Sequence, residues 1–136
     1  MSDFTQIKQL ETDRPRILII DDDALMRLAL AKILLFAGYD VEQAGDGDEG
    51  LRLQRSQSFD LIITDLIMPD KESIQIIREL RKEDSAIRII AMSAGGRGGA
   101  TDYLKWARLM GAKQCLSKPI KREELLDAVT SVLAAP

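Results

Sequence analysis

The segment that decides the fold of this chain reads Arg16-Ile17-Leu18-Ile19-Ile20-Asp21-Asp22-Asp23. Its apolar run is short and rich in β-branched residues, which is typical of a strand buried on both faces of a sheet. Three aspartates follow at once. A helical pattern then begins, with apolar residues on one face, and it ends at Gly38. The segment therefore predicts a buried strand that ends in carboxylates and continues into a helix.

The same alternation of strand and helix recurs along the chain. Further strands are predicted at 39–44, 60–64, 87–92 and 113–116, and further helices at 48–57, 73–82, 101–110 and 122–133. Alternating elements of this kind favour a parallel sheet covered by helices on both faces. Because crossovers between parallel strands are right-handed, the expected fold class is α/β, with a doubly wound five-stranded sheet.

Composition limits the classes of function that remain open. The chain has 136 residues, is 46% hydrophobic and carries a formal charge of -3. We expect one domain at 15–136, preceded by a flexible polar arm at 1–14. Without histidine, the chain has no His general base, no His-ligated metal and no phosphohistidine of its own. The acidic balance argues against direct nucleic-acid binding.

Location is predicted from cysteine usage and from hydropathy. Cys115 is the single cysteine and has no partner within the chain for a disulfide, which suits a reducing compartment. No apolar run approaches the roughly 20 residues that span a bilayer, and the first residues do not resemble a secretory signal. We therefore expect a cytoplasmic protein without membrane insertion.

Polar side chains stand where four of the predicted strands end. They are Asp21 and Asp22, then Asp65, then Ser93, then Lys118. In doubly wound sheets, ligands bind at the carboxyl ends of the strands. Clustered carboxylates repel one another unless a cation neutralises them, and an oxygen-only set favours Mg²⁺. A lysine and a hydroxyl beside them suit a phosphoryl group, which an aspartate can accept as an acyl phosphate.

These residues also carry a resemblance to a known family. The ordered pieces are Asp21-Asp22, Asp65 followed by Met68-Pro69, Ser93-Ala94 and Lys118-Pro119. In order and spacing they resemble the receiver domain of two-component response regulators, the chemotaxis regulators included. The resemblance covers residues 15–134. It implies a flavodoxin-like (βα)5 fold with strand order 2-1-3-4-5.

The resemblance implies a role for each site residue. Asp65 would be the phosphoacceptor; Asp22, Asp65 and the backbone carbonyl of Ile67 would bind Mg²⁺ directly, with Asp21 acting mostly through water. Ser93, Ala94 and Lys118 would contact the phosphoryl group, and a cis peptide bond would precede Pro119. The expected partners are a sensor histidine kinase or a histidine phosphotransfer protein, and an output protein. The chain would catalyse only its own phosphorylation and dephosphorylation.

One position departs from the family pattern. Cys115 stands where the family usually carries an aromatic residue whose rotamer reports phosphorylation. A thiol is too small to act as a ring that is either buried or exposed. The usual coupling between the Ser93 hydroxyl and an aromatic side chain is therefore not expected here.

Two other functions remain open at this point. Asp21-x-Asp23 after a strand also resembles Mg²⁺-dependent haloacid-dehalogenase-like phosphatases, although Leu25 stands where those enzymes carry Thr or Val. In that class Asp21, not Asp65, would take the phosphate. The third reading is a receiver used only as an interaction module, against which the intact acidic site argues.

Two features of the first helix have simpler readings. Asp23 is expected to cap its N-terminus. Ala24, Leu28, Ala31 and Leu35 form a second apolar stripe, which is either a set of scattered exposed residues or a docking face for helices of a phosphodonor.

Overall fold

The computed structural model describes residues 14–66, 71–93, 105, 108, 109 and 111–135, with the backbone alone at 66 and 71–74. Its sheet has five parallel strands: β1 (Arg16–Ile20), β2 (Asp40–Ala44), β3 (Leu61–Leu66), β4 (Ile89–Ser93) and β5 (Gln114–Ser117). Their order in the sheet is β2-β1-β3-β4-β5. The predicted fold class and strand order are confirmed.

Helices cover both faces of this sheet. Within the described residues the structure has α1 (Ala24–Phe36), α2 (Gly47–Gln57), α3 (Lys71–Glu83) and α4 (Arg122–Ala134). Of the helix predicted at 101–110, only Lys105, Arg108 and Leu109 are described, and they are helical. The arm predicted at 1–14 lies outside the described residues except for Arg14.

The core has two halves, one on each face of the sheet. On one face, the apolar sides of α1 and α4 pack against alternate residues of the central strands, among them Ile17, Ile19 and Ile63. On the other face, α2 and α3 pack against Leu18 and Ile62. Every side chain of β4 is buried. This two-sided burial explains why the central strands read as continuous apolar runs.

Short-range signals set the ends of α1. The carboxylate of Asp23 accepts hydrogen bonds from the backbone N–H groups of Leu25 (3.0 Å) and Met26 (3.2 Å), so the predicted N-cap is confirmed. Gly38, just beyond the helix, has a φ of 98°, a conformation that favours glycine. The predicted second apolar stripe is wrong at Ala31, which is buried in the core.

The register of the strands brings their carboxyl ends into line. β3 runs through Asp65 to Leu66 rather than ending at Thr64, because Asp65 pairs with Met92 and Leu66 with Ser93. On the next strand Ser93 pairs with Ser117. The polar residues at the ends of β3, β4 and β5 are therefore neighbours across the sheet.

Candidate functional site

Three carboxylates meet at the carboxyl edge of the sheet. One oxygen each of Asp21, Asp22 and Asp65 lies within 4.8 Å of the others. Asp21 follows β1 and its side chain is fully buried, Asp65 is nearly buried at the end of β3, and Asp22 is exposed. The cluster is therefore open to solvent on the Asp22 side and closed beneath.

Lys118 reaches this cluster from the segment after β5. Its Nζ lies 3.1 Å from Asp21 Oδ2 and 3.1 Å from Asp65 Oδ2. The backbone N–H of Lys118 donates to the carbonyl of Ser93 at 2.8 Å, which fixes the segment against the end of β4. Among the described residues, Lys118 is the cation that pairs with these carboxylates, and the described part of the site has an excess of negative charge.

Burial and charge shift the pKa values of both Asp65 and Lys118. Burial raises the pKa of Asp65, and the charge of Asp21 raises it further, while Lys118 acts in the opposite direction. For Lys118, burial lowers the pKa, but hydrogen bonds to Asp21 and Asp65 outweigh this effect and the pKa is raised. Lys118 therefore remains a cation at neutral pH.

Two buried polar atoms at these strand ends lack a hydrogen-bond partner in the described structure. They are Asp65 Oδ1 and Ser93 Oγ. A buried acceptor without a partner costs about 1–3 kcal/mol. A hard cation would satisfy Asp65 Oδ1 and relieve the excess of negative charge, and a phosphoryl oxygen would accept from Ser93 Oγ. The residues present therefore fit Mg²⁺ and a phosphoryl group.

Comparison with known proteins agrees with this geometry. The family model described as the response regulator receiver domain matches residues 17–130. The chain belongs to this family.

Relatives of this receiver include both short and long proteins. PilH of Pseudomonas aeruginosa is 35% identical over 88% of this chain and 98% of its own length. The response regulator MprA of Mycolicibacterium vanbaalenii is 35% identical over 87% of this chain, but that match covers only 50% of MprA. Among solved structures, the chemotaxis protein CheY4 of Vibrio cholerae is 27% identical with a TM-score of 0.78, covering 88% of this chain and 98% of that chain.

Membership establishes the general class of the protein. Response regulator receivers are phosphoacceptors of two-component signalling rather than classical enzymes, and in general they bind Mg²⁺. In this receiver, the acidic cluster at the carboxyl edge is consistent with such a site. None of the helices in the described residues combines the length and the hydropathy that a membrane span requires.

Sequence reasoning missed one residue of the receiver's site. Arg27 of α1 is half-buried, and its Nη1 donates to the backbone carbonyl of Asp21 at 2.5 Å. Its Nε is buried and has no hydrogen-bond partner in the part of the chain that the structure describes. Position 27 lies one helical turn beyond the Asp23 cap, where an arginine reads as an ordinary surface residue of α1. The sequence signal for this contact was only that Arg27 follows Asp21 by six residues.

Cys115 lies on β5 beside Ala91 of β4 and is half-buried. Burial raises the pKa of its thiol, and the neighbouring Ser93 hydroxyl opposes this rise. The raised pKa favours the protonated thiol, which is not the nucleophilic form. The side chain lies beside Ser93 and supplies no ring.

The remaining predicted site residues have mixed outcomes. The peptide bond between Lys118 and Pro119 is cis. Ile67 and Ala94, predicted respectively as a metal ligand through the backbone and as a phosphoryl contact, lie outside the described residues.

Proposed function

We propose that this receiver accepts a phosphoryl group on Asp65 and changes conformation to signal to a partner. The observation that carries the proposal is the environment of the Asp65 carboxylate. One of its oxygens is paired with Lys118, and the other is buried without a partner among the described residues, in a cluster where carboxylates outnumber cations. Such a group gains from both a metal ion and a phosphoryl group at the same place.

Asp65 is the nucleophile of the proposed transfer. One oxygen of its carboxylate attacks the phosphorus of a phosphohistidine on the donor. An O–P bond forms as the P–N bond breaks, and the imidazole leaves with the bonding pair and takes up a proton. Lys118 and Ser93 then hold the phosphoryl oxygens, one by its charge and the other by its hydroxyl, and Ala94 contributes a backbone contact.

Mg²⁺ is the proposed cofactor, held by Asp22, Asp65 and the carbonyl of Ile67, with Asp21 acting mostly through water. When bound, it neutralises the charge between the carboxylates and the incoming phosphoryl group. Asp21 suits this indirect role because both of its oxygens are engaged: Oδ1 accepts from the Asp23 N–H at 2.9 Å and Oδ2 from Lys118. The same engagement argues against Asp21 as the nucleophile, and so against the phosphatase reading.

The partners follow from this chemistry and from the surface beside the site. A sensor histidine kinase or a histidine phosphotransfer protein supplies the phosphoryl group, and an output protein reads it. Leu25 and Leu28 of α1 are 79% and 46% exposed, and the helix begins next to the acidic cluster. Helices of the donor have an apolar face to dock on there. We place these events in the cytoplasm, with no direct nucleic-acid contact by this receiver.

Switching depends on charge, since the usual aromatic reporter is replaced by Cys115. Phosphorylation adds about -1.5 to -2 charges at an acidic site. Movement of Ser93 and Lys118 toward those charges changes the surface that includes β5 and α4. The receiver unit is residues 15–136, and 1–14 form an arm outside it. An intact, unsatisfied acidic site would be a needless cost in a receiver used only as an interaction module.

Labelling by a small phosphodonor tests the proposal. The protein takes up one phosphoryl group from acetyl phosphate when Mg²⁺ is present and none when it is chelated. Asp65→Asn abolishes the label because an amide is not a nucleophile for phosphorus. Asp60→Asn, which changes an exposed aspartate at the opposite edge of the sheet, is the matched control and retains it. Label that survives in Asp65→Asn and disappears in Asp21→Asn would favour the phosphatase instead.

A further inference from the structure

The peptide plane between Asp21 and Asp22 is held by a side-chain contact. The preceding peptide unit is fixed to the sheet, since the N–H of Asp21 donates to the carbonyl of Ala44 on β2 at 3.1 Å. The carbonyl of Asp21 accepts from Arg27 Nη1 at 2.5 Å. That carbonyl belongs to the same planar peptide unit as the N–H of Asp22. Any rotation of this plane would therefore break the Arg27 contact and swing the Asp22 side chain.

Among the described residues, the carboxylate of Asp22 has no hydrogen bond or ion pair of its own. Its side chain is exposed, whereas the carboxylates of Asp21 and Asp65 are both paired with Lys118. The direction of the Asp22 carboxylate thus depends on the backbone that carries it. Arg27 is the side chain among the described residues that donates a hydrogen bond to that peptide unit.

The placement of Arg27 carries a cost that packing alone does not explain. Its side chain is half-buried, and its buried Nε has no hydrogen-bond partner among the described residues. A Cβ atom added at Gly45 would lie 3.5 Å from Nη1, so the guanidinium sits against the backbone of the β2–α2 turn. A methionine of similar reach would fill this space without burying a donor. The arginine gains one charge-assisted hydrogen bond there, to the carbonyl of Asp21.

The geometry points to Arg27 as a positioning residue for the metal site: it fixes the Asp21–Asp22 peptide plane and thereby aims Asp22 at Mg²⁺. This inference rests on the proposed function, since it assumes that Asp22 binds the ion. Residues that contact and orient metal ligands without binding the ion change the metal affinity by about 10- to 100-fold. The effect runs through geometry, not through the charge of Arg27.

Charge and geometry predict opposite signs for the same substitution. Arg27→Met removes a cation close to a site for a cation, so electrostatics alone would tighten Mg²⁺ binding. Loss of the hydrogen bond from Arg27 to the Asp21 carbonyl lets the Asp22 carboxylate move, which weakens Mg²⁺ binding. The sign of the change in Mg²⁺ affinity therefore distinguishes the two, and a purely structural role would leave the affinity of the folded protein unchanged.

Isothermal titration of chelator-treated protein with MgCl2 is the test. We expect the Kd to rise by about tenfold or more in Arg27→Met. Arg52→Met, which removes an exposed arginine from α2, is the control for net charge and keeps the wild-type value. Far-UV circular dichroism verifies folding, and Arg27→Gln replaces Arg27→Met if the latter does not fold.

A double-mutant cycle tests whether the effect passes through Asp22. In the Asp22→Asn background, Arg27→Met should change the Mg²⁺ affinity little further, because the ligand it aims is already altered. An equal loss in both backgrounds, or unchanged or tighter binding in Arg27→Met, overturns the inference and leaves the proposed function intact. Absence of Mg²⁺ binding by the wild type overturns both.

Discussion

Removal of Lys118 is the perturbation whose effect the structure defines most fully. The side chain is 20% exposed and lies 3.1 Å from each of two buried carboxylates. At an effective dielectric constant of about 20, each pair contributes about 5 kcal/mol of Coulomb energy. On the same scale, the repulsion between Asp21 and Asp65, which lie within 4.8 Å, is at least about 3.5 kcal/mol. Attraction by Lys118 therefore outweighs the repulsion that it offsets.

Lys118→Met leaves that repulsion uncompensated. Breaking a buried ion pair costs about 3–5 kcal/mol, and the partial exposure of Lys118 places the expected loss of unfolding free energy near 3 kcal/mol at pH 7. Without the cation, the pKa of Asp65 rises further, because Lys118 is the group that lowers it. The loss should therefore shrink as the pH falls and Asp65 becomes protonated in the folded state.

Urea denaturation in the presence of a chelator, at pH 7 and at pH 4.5, measures both effects. Lys113→Met, at an exposed site before β5, is the matched control and should change stability little. Asp65→Asn combined with Lys118→Met should recover part of the loss. A change below about 0.5 kcal/mol at pH 7, in the range of ordinary surface substitutions, or a loss that does not depend on pH, would refute the reasoning.

Three further predictions follow from the site and its support. Burial and the charge of Asp21 raise the pKa of Asp65 in the folded state above its ordinary value of 3.8. The free energy of unfolding of the metal-free wild type therefore falls as the pH rises from this ordinary value to the higher folded pKa. Asp65→Asn should therefore be more stable than the wild type in urea at pH 7 and lose this advantage below about pH 4. Millimolar Mg²⁺ should stabilise the folded protein, by about 2.7 kcal/mol at 100 Kd, and so raise its melting temperature. Asp22→Ala should remove most of this effect. A melting temperature that does not respond to Mg²⁺ would count against the site. Gly50→Ala should destabilise the fold by about 1–2 kcal/mol in thermal denaturation, since its Cβ would lie 2.5 Å from Ile20 Cδ1, and Ile20→Val should rescue it.

The fold was predictable because local patterns and topology agree. Strands buried on both faces need continuous apolar runs, and Ile17–Ile20 is one. A helix after such a strand needs a cap, and Asp23 supplies it. Strand ends were less predictable: β3 extends through Asp65 because its neighbour β4 extends to Ser93, and pairing between strands is not visible in either segment alone.

The site was predictable where position on a strand decides it. Asp21, Asp65, Ser93 and Lys118 follow apolar runs, and parallel strands bring those ends together. Arg27 was not predictable, because its role depends on the path of a side chain back toward a backbone carbonyl. The environment of Cys115 was likewise not readable from sequence, since the proximity of its thiol to Ser93 depends on the β4–β5 register.

The residue that carries the phosphoryl group is the most direct test of the central claim. After reaction with acetyl phosphate and Mg²⁺, borohydride reduces an acyl phosphate to the alcohol, so that a labelled aspartate becomes homoserine. Peptide mass spectrometry then locates it. We expect homoserine at position 65 and at no other aspartate, dependent on Mg²⁺. Homoserine at position 21, or none despite uptake of phosphate, would contradict the account.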